Sequence, residues 1–250
     1  MKMLFLGRKE LGAQALKWSL ETGFEIVGVV TDSHMPDSPT TKLAKQRRLP
    51  LLTLEEAGDL TEKGEINFDV AVSFVYWRKI KEPLISHPKQ GVINFHPAPL
   101  PDYKGLGGYN FAILNAVQSW SVTAHYVDEN IDTGRIIERF DFSIDPGEET
   151  AFSLEKTSQQ FLFALYKKVL RKVLEGRRLA TTPNEEGVYY SRSDMEHAKF
   201  VKPGDDVDRK IRAFWFPPYS GAKVDVNGKV YTLVNDQILR EISRMMAGQS

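Results

Sequence analysis

The strongest constraint on the fold is an alternation of apolar, β-rich runs with helical periodicity near the N-terminus. Met3-Leu4-Phe5-Leu6-Gly7 is a short apolar run ending at glycine, and Leu11 to Leu20 places apolar residues at helical spacing. Gly23 then precedes the β-rich run Phe24-Glu25-Ile26-Val27-Gly28-Val29-Val30. The order is strand, helix, strand. A second unit comes next: Thr40 to Arg47 is helical in character, Leu49-Pro50-Leu51-Leu52 is extended, and Phe68 to Val75 has the composition of a buried strand. Alternation of this kind predicts an α/β architecture, a mainly parallel sheet with helices on both faces. Ligands sit beyond the carboxyl ends of such strands, so the loops after Leu6, Val30 and Val75 are the expected seats of chemistry.

A chain of 250 residues can bury a core of that kind in one large domain, or in a medium domain with a small appendage. From Phe152 to Glu175 the apolar positions Phe161, Leu162, Leu165, Val169 and Val173 recur at helical spacing, with Lys167, Lys168, Arg171 and Lys172 between them. A long amphipathic helix with a solvated basic face is expected, stopped by Gly176. Residues 181–208 are polar, carry Pro183, Gly187, Pro203 and Gly204, and read as a linker crossing the surface. After them, Val224-Asp225-Val226, Asn227-Gly228 and Lys229 to Val234 form a hairpin signal, because Asn-Gly supplies the positive φ angles of a type I′ turn. A short helix, Gln237 to Met246, closes the chain. The expected organisation is a main domain at 1–180, the linker, and a C-terminal hairpin and helix at 209–250. That appendage is too small to fold without the main domain or another subunit.

Several function classes drop out. Lys+Arg at 33 against Asp+Glu at 33 leaves a net charge of zero, so no global field draws the chain to nucleic acid or an anionic membrane. Zero cysteines remove disulfides, Cys-ligated zinc, iron–sulfur clusters and thiol nucleophiles. No metal is expected: Asp128, Glu129 and Asp132 lack the spacing of a calcium loop. No apolar run approaches the ~20 residues of a membrane span, and the start MKMLFLGRKE has no signal-peptide segment, so a cytoplasmic protein is expected. The first loop, Gly7-Arg8-Lys9-Glu10-Leu11-Gly12, lacks the G-x-G-x-x-G spacing of a dinucleotide site. Arg8 and Lys9 still sit at a helix N-terminus, where phosphate oxygens bind, although two solvated surface cations would look the same.

The densest segment is Gly91-Val92-Ile93-Asn94-Phe95-His96-Pro97-Ala98-Pro99-Leu100-Pro101-Asp102-Tyr103-Lys104-Gly105. A strand ending in Asn-x-His puts both polar side chains on one face and Phe95 on the other. The prolines stop regular structure and stiffen the loop beyond it. An amide donor beside a titratable base at the end of a buried strand suits acid–base chemistry. The second polar cluster lies in Thr123-Ala124-His125-Tyr126-Val127-Asp128-Glu129-Asn130-Ile131-Asp132-Thr133-Gly134-Arg135-Ile136-Ile137, where two β-rich runs flank the acidic turn Val127 to Gly134. It reads either as a polar hairpin turn or as the source of a carboxylate that orients His96.

Together these two segments resemble the signature of the folate-dependent formyltransferases, the family of methionyl-tRNA formyltransferase, glycinamide ribonucleotide formyltransferase and the nucleotide-sugar N-formyltransferases. The resemblance spans most of residues 1 to about 180 and rests on two long motifs at a fixed separation. It implies a Rossmann-like sheet and a catalytic set of Asn94, His96 and Asp132. It also implies a pocket for N10-formyltetrahydrofolate walled by Trp77, Arg78, Ile80, Asp128, Asn130 and Asp132. Asn130, Arg135 and the pair Ala98-Pro99 depart from the residues usual in the family.

The segment Arg212 to Ala222, with Phe214, Trp215 and Tyr219, resembles the stretch beyond the catalytic domain in the tRNA-specific and sugar-specific members. Neutral charge and a small appendage fit a nucleotide-linked amino sugar of bacterial polysaccharide synthesis better than tRNA. Trp215, Phe214 and Tyr219 are candidates to stack on the base, and Arg8, Lys9, Lys104, Tyr109 and Arg192 to hold the rest of the nucleotide sugar. Core packing of the hairpin would call for the same aromatics. Other readings are formylation of methionyl-tRNA or glycinamide ribonucleotide, a non-catalytic folate-binding module, a formyltetrahydrofolate hydrolase, and a nicotinamide oxidoreductase. The unburied edge of the hairpin and the face of the last helix point to a homodimer.

Overall fold

The computed structural model describes residues 1–32 and 34–248. The chain opens with β1 (Lys2–Gly7), α1 (Lys9–Glu21), β2 (Glu25–Val30), α2 (Pro39–Gln46), β3 (Leu51–Leu52), α3 (Leu54–Glu62), β4 (Val70–Phe74) and β5 (Val92–His96). It continues through β6 (Lys104–Gly105), α4 (Gly108–Leu114), β7 (Ser119–Tyr126), β8 (Ile136–Ser143) and the long α5 (Ala151–Leu174). Beyond these lie β9 (Tyr189–Tyr190), α6 (Arg192–Ala198), α7 (Val207–Phe214), β10 (Lys223–Val226), β11 (Lys229–Thr232) and α8 (Asp236–Met246). Side-chain oxygens start the helices, as at Thr53 before α3 and Thr150 before α5, where each accepts the backbone N–H three residues on.

Seven strands form the central sheet in the order β3-β2-β1-β4-β5-β7-β8. The strands from β3 to β5 are parallel, and β7 and β8 extend the sheet antiparallel. The α/β expectation is met. Period-two alternation splits the strand side chains between two cores. Met3, Phe5, Val72, Phe74, Ile93 and Phe95 face α1 and α5, whereas Leu4, Leu6, Val30, Ala71 and Val92 face Ala57 of α3 together with Phe68, Ile80 and Leu84. Tyr166 of α5 sits at the centre of the first core, its ring 4.7 Å from Phe74 and 4.9 Å from Phe95, and its hydroxyl bonds Ser19 Oγ of α1 at 2.6 Å. Because Phe95 turns toward α5, Asn94 and His96 turn to the opposite face, where the site is built.

The appendage is docked on the main domain rather than standing alone. Ile211 and Phe214 of α7, Ala222 and Ile238 of α8 bury against Ala112 and Ile113 of α4, Trp120 of β7 and Leu154 of α5. The turn of the β10–β11 hairpin is Asn227-Gly228, both at positive φ, as the sequence requires. The segment expected as a linker is more structured than its composition suggests. It carries β9, which pairs with β6, and α6, which Ser191 caps, and Thr182 pairs with Ile136 at the start of β8. The Asn184 side chain in it donates to backbone carbonyls of the main domain instead of to water. Among the described residues, no helix is long and apolar enough to cross a membrane.

Candidate active site

The polar cluster forms at the carboxyl end of β5, the last parallel strand, one strand beyond those whose loops the strand-end rule singled out. The reason is the antiparallel partner. β7 lies beside β5 with His125 directly opposite Asn94, and the β7–β8 loop folds back over the strand end. Asn94 Nδ2 lies 2.9 Å from His125 Nε2, and His125 Nδ1 lies 2.7 Å from the carbonyl oxygen of Tyr126. A carbonyl only accepts, so Nδ1 carries the hydrogen and Nε2 receives one from Asn94. The buried His125 thus engages one side of the Asn94 amide and leaves the second amide hydrogen for a ligand. His96 Nε2 lies 3.0 Å from the carbonyl oxygen of Tyr103, which by the same logic makes Nε2 a donor and Nδ1 the basic nitrogen.

The acidic turn supplies the partner for that nitrogen. Asp128 spends its carboxylate within the loop, accepting from Thr133 Oγ1 at 2.6 Å and from the Asn130 N–H at 3.0 Å. Asp132 is different. Its backbone adopts φ +56°, and its carboxylate turns inward between the two imidazoles. Oδ2 is 3.5 Å from His96 Nδ1 and accepts the Gly105 N–H at 3.0 Å, while Oδ1 is 3.6 Å from His125 Nε2. Gly134 permits this fold-back, because a Cβ there would lie 1.8 Å from the Tyr126 carbonyl oxygen.

Burial pushes the Asp132 carboxyl up, but the His96 and His125 imidazoles beside it and the Gly105 N–H outweigh it and hold the group well below the usual carboxylate range. A depressed carboxyl stabilises the fold above its unfolded value of about 3.9, and that contribution fades as pH falls through the folded value. The expected outcome in urea titrations is that the stability difference between the protein and Asp132→Asn shrinks as pH falls below about 4.

The other candidate residues divide into those near the cluster and those already engaged. A groove of about 460 Å³ beside the acidic turn is lined by Lys79, Lys104, Asn130, Ile131, Thr133, Gly187 and Tyr189. Trp77 stands exposed next to it in sequence, Arg78 is paired with Glu55, and the Ile80 side chain lies in the core, so only its backbone is free to meet a ligand. Arg8 is paired with the buried Asp32 at 3.0 Å and Lys9 lies 3.9 Å from Glu155. Lys104 is buried, its ammonium donating to the carbonyl oxygens of Glu186 at 2.6 Å and Asn184 at 3.4 Å. Arg192 is exposed at the start of α6. Tyr109 packs on Trp120 at 6.1 Å, and burial of its hydroxyl pushes it far above the usual phenol range. Trp215 is half-buried, and Tyr219 is 70% exposed against Phe216.

His125 is the member that sequence reasoning missed. It is a polar residue inside an otherwise apolar β run, and its significance depends on a cross-strand partner 31 residues away. An oriented amide N–H, a basic imidazole nitrogen and an ionised carboxylate beside it can together stabilise a developing oxyanion and carry a proton.

The model of the family described as formyl transferase matches residues 25–170. A methionyl-tRNA formyltransferase of Clostridioides difficile is 26% identical over 262 residues, spanning 99% of this chain and 84% of the relative. A 4-N formyltransferase from Francisella tularensis superimposes with a TM-score of 0.79 at 20% identity, covering 94% of this chain and 96% of that one. An N-formyltransferase from Helicobacter canadensis, in complex with folinic acid and dTDP-3-aminofucose, superimposes with a TM-score of 0.75 at 25% identity, covering 91% and 85%.

Proposed function

The chain belongs to the formyl transferase family, and from that premise we propose that it transfers a formyl group from N10-formyltetrahydrofolate to the amine of a nucleotide-linked amino-dideoxysugar. The observation that carries the reaction is the convergence of Asn94, His96 and Asp132 at the end of β5. The amine lone pair forms a bond to the formyl carbon, and the carbonyl electrons move onto oxygen. Their return breaks the bond between that carbon and N10, and the amine proton ends on N10. Asn94 offers its free amide hydrogen to the oxygen as it becomes negative. His96 holds the travelling proton at Nδ1, where Asp132 stabilises the imidazolium.

The folate would occupy the groove beside the acidic turn. Asn130 lines that groove, Trp77 and Arg78 stand on its Lys79 side, Asp128 shapes the turn, and Ile80 contributes backbone alone. Support for a sugar acceptor comes from the Helicobacter enzyme with its bound amino sugar nucleotide, and from a net charge of zero. The diphosphate and base would lie toward Arg8, Lys9, Tyr109, Arg192, Trp215 and Tyr219, with Lys104 acting through the carbonyls it orders. A second reading, methionyl-tRNA as acceptor, is favoured by the sequence relatives. Incubation with formyl donor and a panel of nucleotide-linked amino sugars, methionyl-tRNA and glycinamide ribonucleotide separates the readings. Turnover on a sugar is expected, and turnover on the last two alone overturns the proposal.

His125→Ala is expected to lower kcat by about ten- to a hundredfold, because an unanchored Asn94 amide no longer points at the oxyanion, with donor KM little changed. Steady-state kinetics on the folded variant checks this. A homodimer through the appendage also belongs to the proposal. On its outer side β10 is bonded at Lys223 to Lys199 and Val201, while among the described residues the outer edge of β11 is unpaired, and Val226, Val230, Tyr231, Val234 and Leu239 are exposed along the hairpin and α8. Light scattering is expected to report twice the mass of one chain; a single-chain mass at working concentration contradicts it.

A further inference from the structure

The β7–β8 loop is held from outside the stretch that the family model matches. Asn184 is buried, and its Nδ2 donates to the carbonyl oxygens of both Asp132 and Gly134, each at 2.9 Å. These bonds brace the one residue of the cluster whose backbone is in the left-handed region, a conformation that side chains other than glycine adopt at a cost. The segment that carries Asn184 is itself fastened on three sides. Thr182 exchanges backbone hydrogen bonds with Ile136 at 2.8 and 3.0 Å. Lys104 Nζ donates to the carbonyl oxygens of Glu186 and Asn184. Gly187 crosses the loop after β5 so closely that a Cβ would lie 2.0 Å from the Pro101 carbonyl oxygen.

We propose that Asn184 is a positioning residue for the transfer reaction, holding the Asp132 backbone so that its carboxylate faces His96 Nδ1. This inference rests on the catalytic reading of Asn94, His96 and Asp132. Without the two Asn184 bonds, the strained Asp132 backbone relaxes toward negative φ and its carboxylate swings away from the imidazoles. A displacement of that size leaves the donor groove in place and disturbs the proton-carrying pair, so it acts on kcat rather than on donor KM.

The test compares Asn184→Ala, Asn184→Gln and Arg135→Ala in the full chain. Arg135 ties the same loop to the same segment through Thr181, at 2.8 and 3.2 Å, without touching Asp132, and so reports simple loosening. Asn184→Ala is expected to lower kcat by about ten- to a hundredfold with donor KM changed less than about threefold. Asn184→Gln, which retains an amide, recovers part of the loss, and Arg135→Ala stays close to the parent. Nitrogen NMR of histidine-labelled protein gives the second readout: the His96 imidazole signals move in Asn184→Ala and not in Arg135→Ala. Unchanged His96 signals and kcat in folded Asn184→Ala, or equal losses in Arg135→Ala, overturn the inference. If Asn184→Ala does not fold, an unaltered kcat and unaltered His96 signals in Asn184→Gln overturn it as well. If the parent protein transfers no formyl group, the catalytic reading fails, and the NMR comparison still decides whether Asn184 sets the Asp132–His96 contact.

Discussion

His96→Ala is expected to lower turnover in formyl transfer by about 10²–10⁴-fold while the protein stays folded. The size reflects the role. Attack by a neutral amine leaves a charged nitrogen, and expulsion of the folate nitrogen requires a proton, so a single base that takes and returns the proton serves both halves of the reaction. His96 is placed for that work by two fixed contacts: Nε2 is spent on the Tyr103 carbonyl oxygen, and Nδ1 faces Asp132. Its imidazole contributes little to the hydrophobic core, because it stands on the face opposite Phe95 at the strand's end. The loss should therefore fall on kcat, with a near-native thermal transition. A folded variant with normal turnover removes His96 from the mechanism.

Asn94→Ala is expected to cost about 10²–10³-fold in kcat, the range for deleting one oxyanion donor in a water-poor site. The amide is useful because it is already oriented. His125 holds one hydrogen at 2.9 Å, so the other needs no reorganisation when charge develops on the formyl oxygen. The two residues should then behave as a unit. In a double-mutant cycle, adding His125→Ala to Asn94→Ala should cost little more than Asn94→Ala alone, since the histidine acts only through the amide. Additive losses show that His125 has an independent role.

The strand–helix alternation was enough to place the parallel sheet, and period two was enough to put Asn94 and His96 on one face. Pattern alone leaves three features open, although the resemblance names Asp132 for the first of them. The choice among Asp128, Glu129 and Asp132 cannot be made from an acidic turn by pattern. The structure makes it by spending Asp128 on the Thr133 hydroxyl and turning Asp132 inward at φ +56°. His125 gains its meaning from the antiparallel register of β5 and β7, which apolar periodicity does not encode. The polar stretch around Asn184 reads as a surface linker by composition, yet the Asn184 amide is bonded to two carbonyls of the main domain. The strand-end rule holds at β5, the last parallel strand, and the loop after β4 reaches the groove through Lys79; what the rule did not show is that the polar cluster gathers where the parallel part of the sheet meets β7.

The fate of the formyl carbon tests the central claim most directly. The protein is supplied with N10-formyltetrahydrofolate labelled with carbon-13 in the formyl group, together with a nucleotide-linked amino sugar, and the products are read by NMR. The expected result is a labelled formamide on the sugar nitrogen, formed in step with loss of the donor and abolished in His96→Ala. Label appearing only as free formate, with the sugar amine unaltered, would contradict the account.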